Sequence, residues 1–522
     1  MVDKESRGKS LNRPSFQQPL SLEFCAYNYL AAHSNRLVTT AFHLEQMIMP
    51  DHARRLRVAT TLMTLVSLLA CAREVDAKLC RIEVRDAETN WPVPLVELRT
   101  VHHQRFVSDN GGVIAFDLPE CFDRETYFTV LGHGYEVRAD GFGFHGVRLT
   151  PKDGQTLTVQ VTRLSIAKRL GRLTGSGLFA EAQRFGQHAN WREGPLMGCD
   201  SVQMTLYRGR PFWSWGDTLF ADYPLGNFAM TGAVTAGPPV NQLEPPISPR
   251  YDYLLDDKGR TKGVAPIAGP GPTWLSGYAS LPDEKGREHL VAIYRKIEPP
   301  LATYEIGLCE WDDERQVFTA LRKLWSKSAG QPEPKLLPSG HTLRWRDTHD
   351  AADQREWLLM GDPFPKFRCP ATYEAWNDSE QWEPVSAPED LASASSQARV
   401  KPHSGSIAWC QSRERWVTVF MQAFGQPSAF GELWYAEAKS PLGPWGPAVK
   451  VLSHQNYTFY NPRLWGEFMK ADSHVLLFEG TYTEQFAKSP AATARYDYNQ
   501  ILYRIDLDDP KLGPARTLPS PD

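Results

Sequence analysis

From Lys78 onward, apolar and polar residues alternate in short runs broken by Gly, Pro, Asn and Asp, and long helical periodicity is scarce. That pattern predicts short strands joined by many turns. Residues 78–164 form a first group. "CRIEVRDAETNWPVPLVELRTV" alternates, breaks at a turn and resumes, and "SDNGGVIAFDLP" places Asp109-Asn110-Gly111-Gly112 between two strand-like runs. "YFTVLGHGYEVRADGFGFHGVRLTP" and "LTVQVTRL" add further strands, enough for a small β-sandwich. "SIAKRLGRLTGSG" is basic and then Gly-rich and reads as a linker.

Residues 172–515 repeat one order at intervals of roughly fifty residues, a period of propeller blades. Each unit opens with two apolar runs across a polar turn: "SVQMTLYRGRPFWSWGD", "LSGYASLPDEKGREHLVAIYR", "TLRWRDTHDAADQREWLLMGD", "SIAWCQSRERWVTVFMQ" and "PRLWGEFMKADSHVLLFEG". Most are followed by another strand-like run: "YEIGLCEWDDERQVF", "ATYEAWNDSEQWEPV", "ELWYAEAKSPLGPWGPAVKV" and "NQILYRIDLDDPKL". The expected fold is all-β, a five-bladed β-propeller with a small N-terminal β-sandwich domain. A second sandwich would not explain the repeated order of hairpin, third strand and turn. Ala236 to Pro272 and "VSAPEDLASASSQA" read as insertions between blades.

Charge narrows the function classes. The 522 residues carry 57 Lys and Arg against 61 Asp and Glu, a net −4 with no long basic run, which argues against a nucleic-acid partner. Near the N-terminus, Arg54, Arg55 and Arg57 precede an apolar run from Val58 to Ala70, a signal-peptide pattern too short to span a bilayer comfortably. Residues 47–77 are therefore expected to direct export, with a buried helix as the plainer alternative, Met47 or Met49 as a natural start and 1–46 as an upstream extension. "LLAC" would put a lipid, and so membrane attachment, on Cys71; "VDA" ending at Ala77 is the plain cleavage alternative. Eight cysteines show no zinc spacing, and Cys80 with Cys121 is the expected disulfide of an exported domain. His102, His103, His133 and His145 lack the carboxylate framework of a metal site.

The first hairpin raises the chemistry. A turn at Arg208-Gly209 pairs Tyr207 with Arg210, Leu206 with Pro211, Met204 with Trp213 and Val202 with Trp215. It leaves Asp200 facing Asp217 at the open end. Trp213 and Trp215 share the apolar face and read as core. Like charges in opposed positions destabilise a strand pair and push one pKa up, which suits a site needing one acid and one base. The matching ends of other units carry Arg295, Asp362, Gln422 and Glu479. Asp200, Asp217, Asp362 and Glu479 are the catalytic candidates, each with the plainer alternative of capping a turn or holding a neighbouring blade. Arg463 would hold a carboxylate or a sugar hydroxyl, or bridge two blades. Tyr223 and Trp274 are the candidates for stacking on a sugar, with Asn227 and Arg295 as polar contacts.

Two resemblances add to this. "PVPLVELRT", "SDNGGVIAFDLP" and "GHGYEVRADGF" resemble carboxypeptidase regulatory-like and transthyretin-like sandwiches, which are usually accessory. "GCDSVQ", "FWSWGDT", "YPLGNF" and "LLFEGTYT…ARYDYNQILYRIDLDDP" resemble a propeller family once of unknown function and linked to endo-D-arabinanases. That resemblance implies a glycoside hydrolase-like propeller with Asp217 near the catalytic centre and Asp200 as its partner. The expectation is an exported glycoside hydrolase acting on a polysaccharide, furanose-containing (arabinan-like) or acidic. It would work by carboxylate acid/base catalysis and require no cofactor. A third carboxylate, Glu479 or Asp362, would partner Asp217 should the opposed pair lie too close. The alternative is a non-catalytic glycan-binding or scaffold propeller. A third reading places structural Ca²⁺ in the channel, approached by His341, His403 and His454.

Overall fold

The computed structural model describes residues 78–517 except 228–229, 335–336, 348–352 and 490, and leaves the side chains of 223–227 undescribed. The expected signal segment and Cys71 lie outside this range.

Residues 80–163 make two four-stranded sheets. One orders Val113–Phe116, Cys80–Asp86, Thr156–Arg163 and Tyr135–Glu136; the other orders Arg105–Val107, Glu97–Thr100, Thr126–Leu131 and Gly146–Leu149. Alternation puts Cys80, Ile82 and Val84 from one sheet and Leu98, Phe128 and Val130 from the other into a shared core. The expected disulfide is absent: Cys80 and Cys121 are both free and buried, and the Cys80 thiol donates weakly to the Gln155 carbonyl at 3.5 Å.

Five further four-stranded sheets follow. Blade one holds Gln203–Tyr207, Arg210–Trp215, Thr231–Val234 and Asp252–Tyr253. Blade two holds Thr273–Pro282, Glu288–Glu298, Ala302–Asp312 and Val317–Ser326. Blade three holds Leu343–Arg346, Glu356–Gly361, Pro365–Pro370 and Glu383–Pro384. Blade four holds Pro402–Cys410, Arg415–Gln422, Glu432–Ala438 and Val449–Ser453. Blade five holds Thr458–Leu464, Val475–Thr483, Asn499–Asp506 and, from far upstream, Lys168–Arg172. Hydrogen bonds link the blades in a circuit. Tyr278 Oη donates to Ser214 Oγ, Gly277 N to Gly340 O, Gly405 N to Asp362 Oδ1 and Leu464 N to Ser406 Oγ. Arg463 donates to Met204 O and closes the ring between blades five and one. Five sheets joined in a circle are a five-bladed propeller.

Three local expectations change. The basic segment is no linker: Lys168–Arg172 pairs antiparallel with Asn499–Asp506 as the last strand of blade five. Its arginines are buried because carbonyls replace water around them. Arg169 donates to Pro94 O and His133 O of the sandwich and to Tyr503 Oη of blade five. "ATYEAWNDSEQWEPV" is largely helical over Tyr373–Asn377, capped by the Thr372 hydroxyl accepting from Ala375 N, and the third strand of blade three is Pro365–Pro370. The insertion after Ala236 supplies the fourth strand of blade one, Asp252–Tyr253.

Arg169→Met keeps the apolar stem but leaves three carbonyl or hydroxyl partners without their donor. Thermal unfolding should show a loss of about 3 kcal/mol, with proteolysis between sandwich and propeller accelerated. An unchanged melting curve would mean that the two parts do not depend on this cation.

Candidate active site

The hairpin register follows the turn chemistry. Gln203 to Tyr207 pair with Ser214 to Arg210, with Leu206 against Pro211 and Met204 against Trp213. Apolar residues fall on both faces of the second strand, since Phe212, Trp213 and Trp215 are all buried between neighbouring sheets, whereas Leu206 at the outer turn is 43 % exposed. At the open end the ladder bulges. Asp200 N donates to Asp217 O at 3.2 Å, and Gly216 N donates to Asp200 O at 2.8 Å, so one residue faces two. A Cβ at Gly216 would meet Asp200 Oδ1 at 2.1 Å, so only glycine lets the carboxylate sit there.

Asp200, Asp217 and Asp362 line one cavity of about 350 Å³ together with Trp274, Arg295 and His341. Asp200 is deeply set. Tyr460 Oη donates to its Oδ2 at 2.5 Å and the Tyr498 hydroxyl also bonds it, while Oδ1 is sealed without a protein donor. Its pKa is raised to about 6, chiefly by burial and also by the Asp217 charge, with the tyrosine hydroxyls opposing the rise. Burial also raises Asp217, and Trp274 Nε1–H, donating to Oδ1 at 3.1 Å, opposes that shift. Asp362 is pushed to about 7 by burial, against the lowering effect of the Gly405 N–H on its Oδ1 at 2.7 Å. The same cavity thus holds carboxyl groups in three different electrostatic settings.

The remaining sequence candidates divide. Arg295 lies on the cavity wall and is paired with Glu333 at 2.6 Å. Tyr223 and Asn227 sit in the strand Tyr223–Asn227, which pairs with Thr218–Phe220 beside Asp217; their side chains are outside the described set. Glu479 is not on the cavity wall. It is fully buried, accepts from Trp465 Nε1 at 2.7 Å and has its pKa raised to about 7 by burial. Arg463 is likewise buried, tied to Met204 O at 3.0 Å and to Glu467 at 2.5 Å, a bridge between blades with no cavity face. Gln422 accepts from Trp434 Nε1. His341 lines the cavity with its pKa lowered to about 3 by burial, so the ring is neutral. His454 is buried elsewhere, bonded to Tyr503 Oη, and His403 packs on Phe430. Among the described residues no three His, Cys, Asp or Glu side chains converge as a metal site requires.

Sequence reasoning missed Tyr460, Tyr498 and Asn461. Asn461 Nδ2 donates to Ser201 Oγ at 2.8 Å. Ser201, Asn461 and Tyr498 all take left-handed backbone angles, φ 50°, 51° and 60°. Strained residues gathered around one carboxylate are a mark of a functional site. The available signal was the pair "YN" directly before Pro462-Arg463 and the "YDYN" run.

No protein-family model matches the chain, and no curated protein matches it. Solved structures do resemble it. An exo-1,5-α-L-arabinanase from a bovine ruminal metagenomic library shares 9 % identity over 59 % of this chain and 92 % of its own, with TM-score 0.33. The GH43_1 enzyme from Xanthomonas citri, solved with xylotriose, shares 9 % over 60 % and 87 %, with TM-score 0.34. An exo-β-1,3-galactanase from Phanerochaete chrysosporium, solved with galactose, shares 8 % over 59 % and 60 %, with TM-score 0.34. At these identities and scores the functional reading of this chain rests on its own geometry.

Glu479 gives a stability test. Its folded pKa, about 7, exceeds the ordinary 4.5, so the folded state holds the proton more tightly than the unfolded chain. Its contribution is full below the unfolded pKa and lost as pH rises through the folded pKa. Glu479→Gln keeps an acceptor for Trp465 and should raise stability at pH 8 by about 1–3 kcal/mol while changing little at pH 4.5. Equal effects at both pH values, read by denaturant unfolding, would count against a buried protonated Glu479.

Proposed function

We propose that this chain is a glycoside hydrolase-like enzyme acting on a polysaccharide, with an arabinan-like furanose polymer as the first class to try. The observation that carries the reading is the set of three carboxyl groups on one cavity wall, held by different partners so that their proton affinities differ. Hydrolysis of a glycosidic bond needs one carboxyl group to donate a proton to the leaving oxygen and another to act as base or nucleophile.

Asp217 suits the second role. Trp274 N–H stabilises its ionised form, and it opens to the cavity. Asp362 suits the acid role: burial keeps it protonated close to neutrality, and with Oδ1 held by Gly405, Oδ2 is the oxygen to carry the proton. Asp200 is tied by backbone hydrogen bonds to the Gly216-Asp217 bulge and would orient Asp217. Glu479, enclosed under Trp465, is outside this scheme, and Arg463 supports the wall by joining the blades. The reaction uses carboxyl groups and water. Export, with residues 47–77 as its signal and Cys71 as a lipid site, fits a polysaccharide substrate and belongs to the same proposal.

Product release from a polysaccharide panel, arabinans included, tests this. Asp217→Asn should reduce released oligosaccharides by about a hundredfold or more while the protein stays folded. Binding of one glycan without products from the wild type would instead make this a carbohydrate-binding propeller. The dependence of kcat/KM on pH should be bell-shaped. Activity falls at low pH as Asp217 takes up a proton and falls above about 7 as Asp362 loses one. Asp362→Asn should remove the alkaline limb; a retained limb would exclude Asp362 as the acid.

A further inference from the structure

The second strand of each blade ends at the same mouth, and the residues beyond those ends differ around the ring. Blade one presents Asp217 just after Arg210–Trp215, and blade three presents Asp362 just after Glu356–Gly361. At the equivalent places, blade four presents Phe424 just after Arg415–Gln422, and blade five presents Phe486 just after Val475–Thr483. Phe424 is 75 % exposed and Phe486 65 %.

These rings are not isolated. Tyr460, whose hydroxyl donates to Asp200, lies 6.2 Å from Phe486 between ring centres. Phe486 lies 6.3 Å from Phe430, and Phe430 lies 5.3 Å from Phe424 and 5.3 Å from His403. The rings form a chain of edge-to-face and tilted contacts that runs from Tyr460, the partner of the cavity carboxylate Asp200, outward over blades five and four.

The rings are also held in place. Phe424 and Phe486 both have left-handed backbones, φ 54° and 61°. Such angles are costly for bulky residues and persist only where the surroundings fix them. The fixing bonds are present: Gly425 N to Ala429 O and Phe459 N to Phe430 O in one loop, and Glu484 N to Asp497 Oδ1 and Thr458 Oγ1 to Gln485 O in the other. Two exposed aromatic rings on pinned, strained turns are poorly explained by packing alone.

We propose that Tyr460, Phe486, Phe430 and Phe424 form an extended sugar-binding platform, so that the substrate is a chain of several sugar units that leaves the carboxylate cavity across blades five and four. The inference rests on the glycoside hydrolase reading above and adds the direction and length of the bound polymer. Its occupant follows from continuity with the cavity and from chemistry. Among the described residues after the second strands, blade two carries the aliphatic Leu301, whereas the exposed apolar side chains of blades four and five, Phe424 and Phe486, are flat rings, which match the C–H face of a sugar while its hydroxyls remain in water. Polymer contacts far from the cleaved bond would position that bond against Asp217 and Asp362.

The test compares wild type, Phe424→Ala/Phe486→Ala and Phe486→Trp on arabino-oligosaccharides of two to eight units. The same proteins are run by native gel electrophoresis through polymeric arabinan and the other polysaccharides of the panel. The ratio of kcat/KM on the longest to the shortest oligosaccharide should exceed unity for wild type. It should fall by about tenfold or more in the double variant, which removes two aromatic contacts, and be kept by Phe486→Trp. Gel retardation by the retarding polymer should fall in parallel, which reads the platform even on a glycan that is bound but not cleaved. Turnover in which both ratio and retardation are untouched by the double variant overturns the platform and leaves the hydrolase reading standing. Retardation lost without any turnover supports the platform and overturns the hydrolase. Neither retardation nor turnover with any glycan overturns both, and concentration-dependent self-association of the wild type that the double variant abolishes would show the rings to be a protein contact instead.

Discussion

Ring closure is the constraint on which everything else depends. The strand Lys168–Arg172, reached before the propeller has begun, completes the sheet whose other strands include Asn499–Asp506 near the end of the chain. Asp200 stands at the start of blade one, and its hydroxyl donors Tyr460 and Tyr498 stand on blade five. Gln500 of blade five donates to Cys199 O, next to Asp200, and Thr481 Oγ1 accepts from Ser201 N. The carboxylate is therefore assembled across the seam where the two ends of the domain meet. An open ring would leave Asp200 without its tyrosine donors and without the blade-five residues that help bury it, the largest cause of its raised pKa.

The sandwich belongs to this closure. Asn110, in the Asp-Asn-Gly-Gly turn, accepts from Arg172 N and donates to Arg172 O, holding the closing strand from outside. Arg169 of that strand reaches back to carbonyls at Pro94 and His133. The N-terminal sandwich is thus joined by buried polar contacts to the strand that shuts the propeller. Because these groups are enclosed, each must keep its partner, and the joint is sensitive to single substitutions.

Much of the fold was legible in the chain because strands and turns are local. The five hairpins, the Arg208-Gly209 turn and the register that brings Asp200 to Asp217 all follow from alternation and turn residues. The closing strand was hidden by its composition: two arginines and a lysine look like a solvated segment, and only the folded surroundings supply the carbonyls that make burial tolerable. Glu479 shows the converse. The repeat pattern placed it at a strand end with the other acids, but the strand runs on to Thr483, and from mid-strand Glu479 accepts from Trp465 Nε1 inside the packing between sheets. Tyr460 and Tyr498 could not be read from spacing, since they meet Asp200 only where the first and last blades close, 260 residues away along the chain for Tyr460. The cysteine pairing failed for a related reason. Both thiols are buried, and proximity in sequence said nothing about whether their side chains meet.

One cavity holds carboxyl groups of divergent proton affinity. Carbon-13 labelling of aspartate carboxyl groups, with Asp200→Asn, Asp217→Asn and Asp362→Asn to assign them, measures this directly. The expected titrations place Asp362 near 7 and Asp200 near 6, with Asp217 above the usual 3.8. Three titrations at ordinary aspartate values would contradict the account, because no group would then be available to hold a proton for the leaving oxygen.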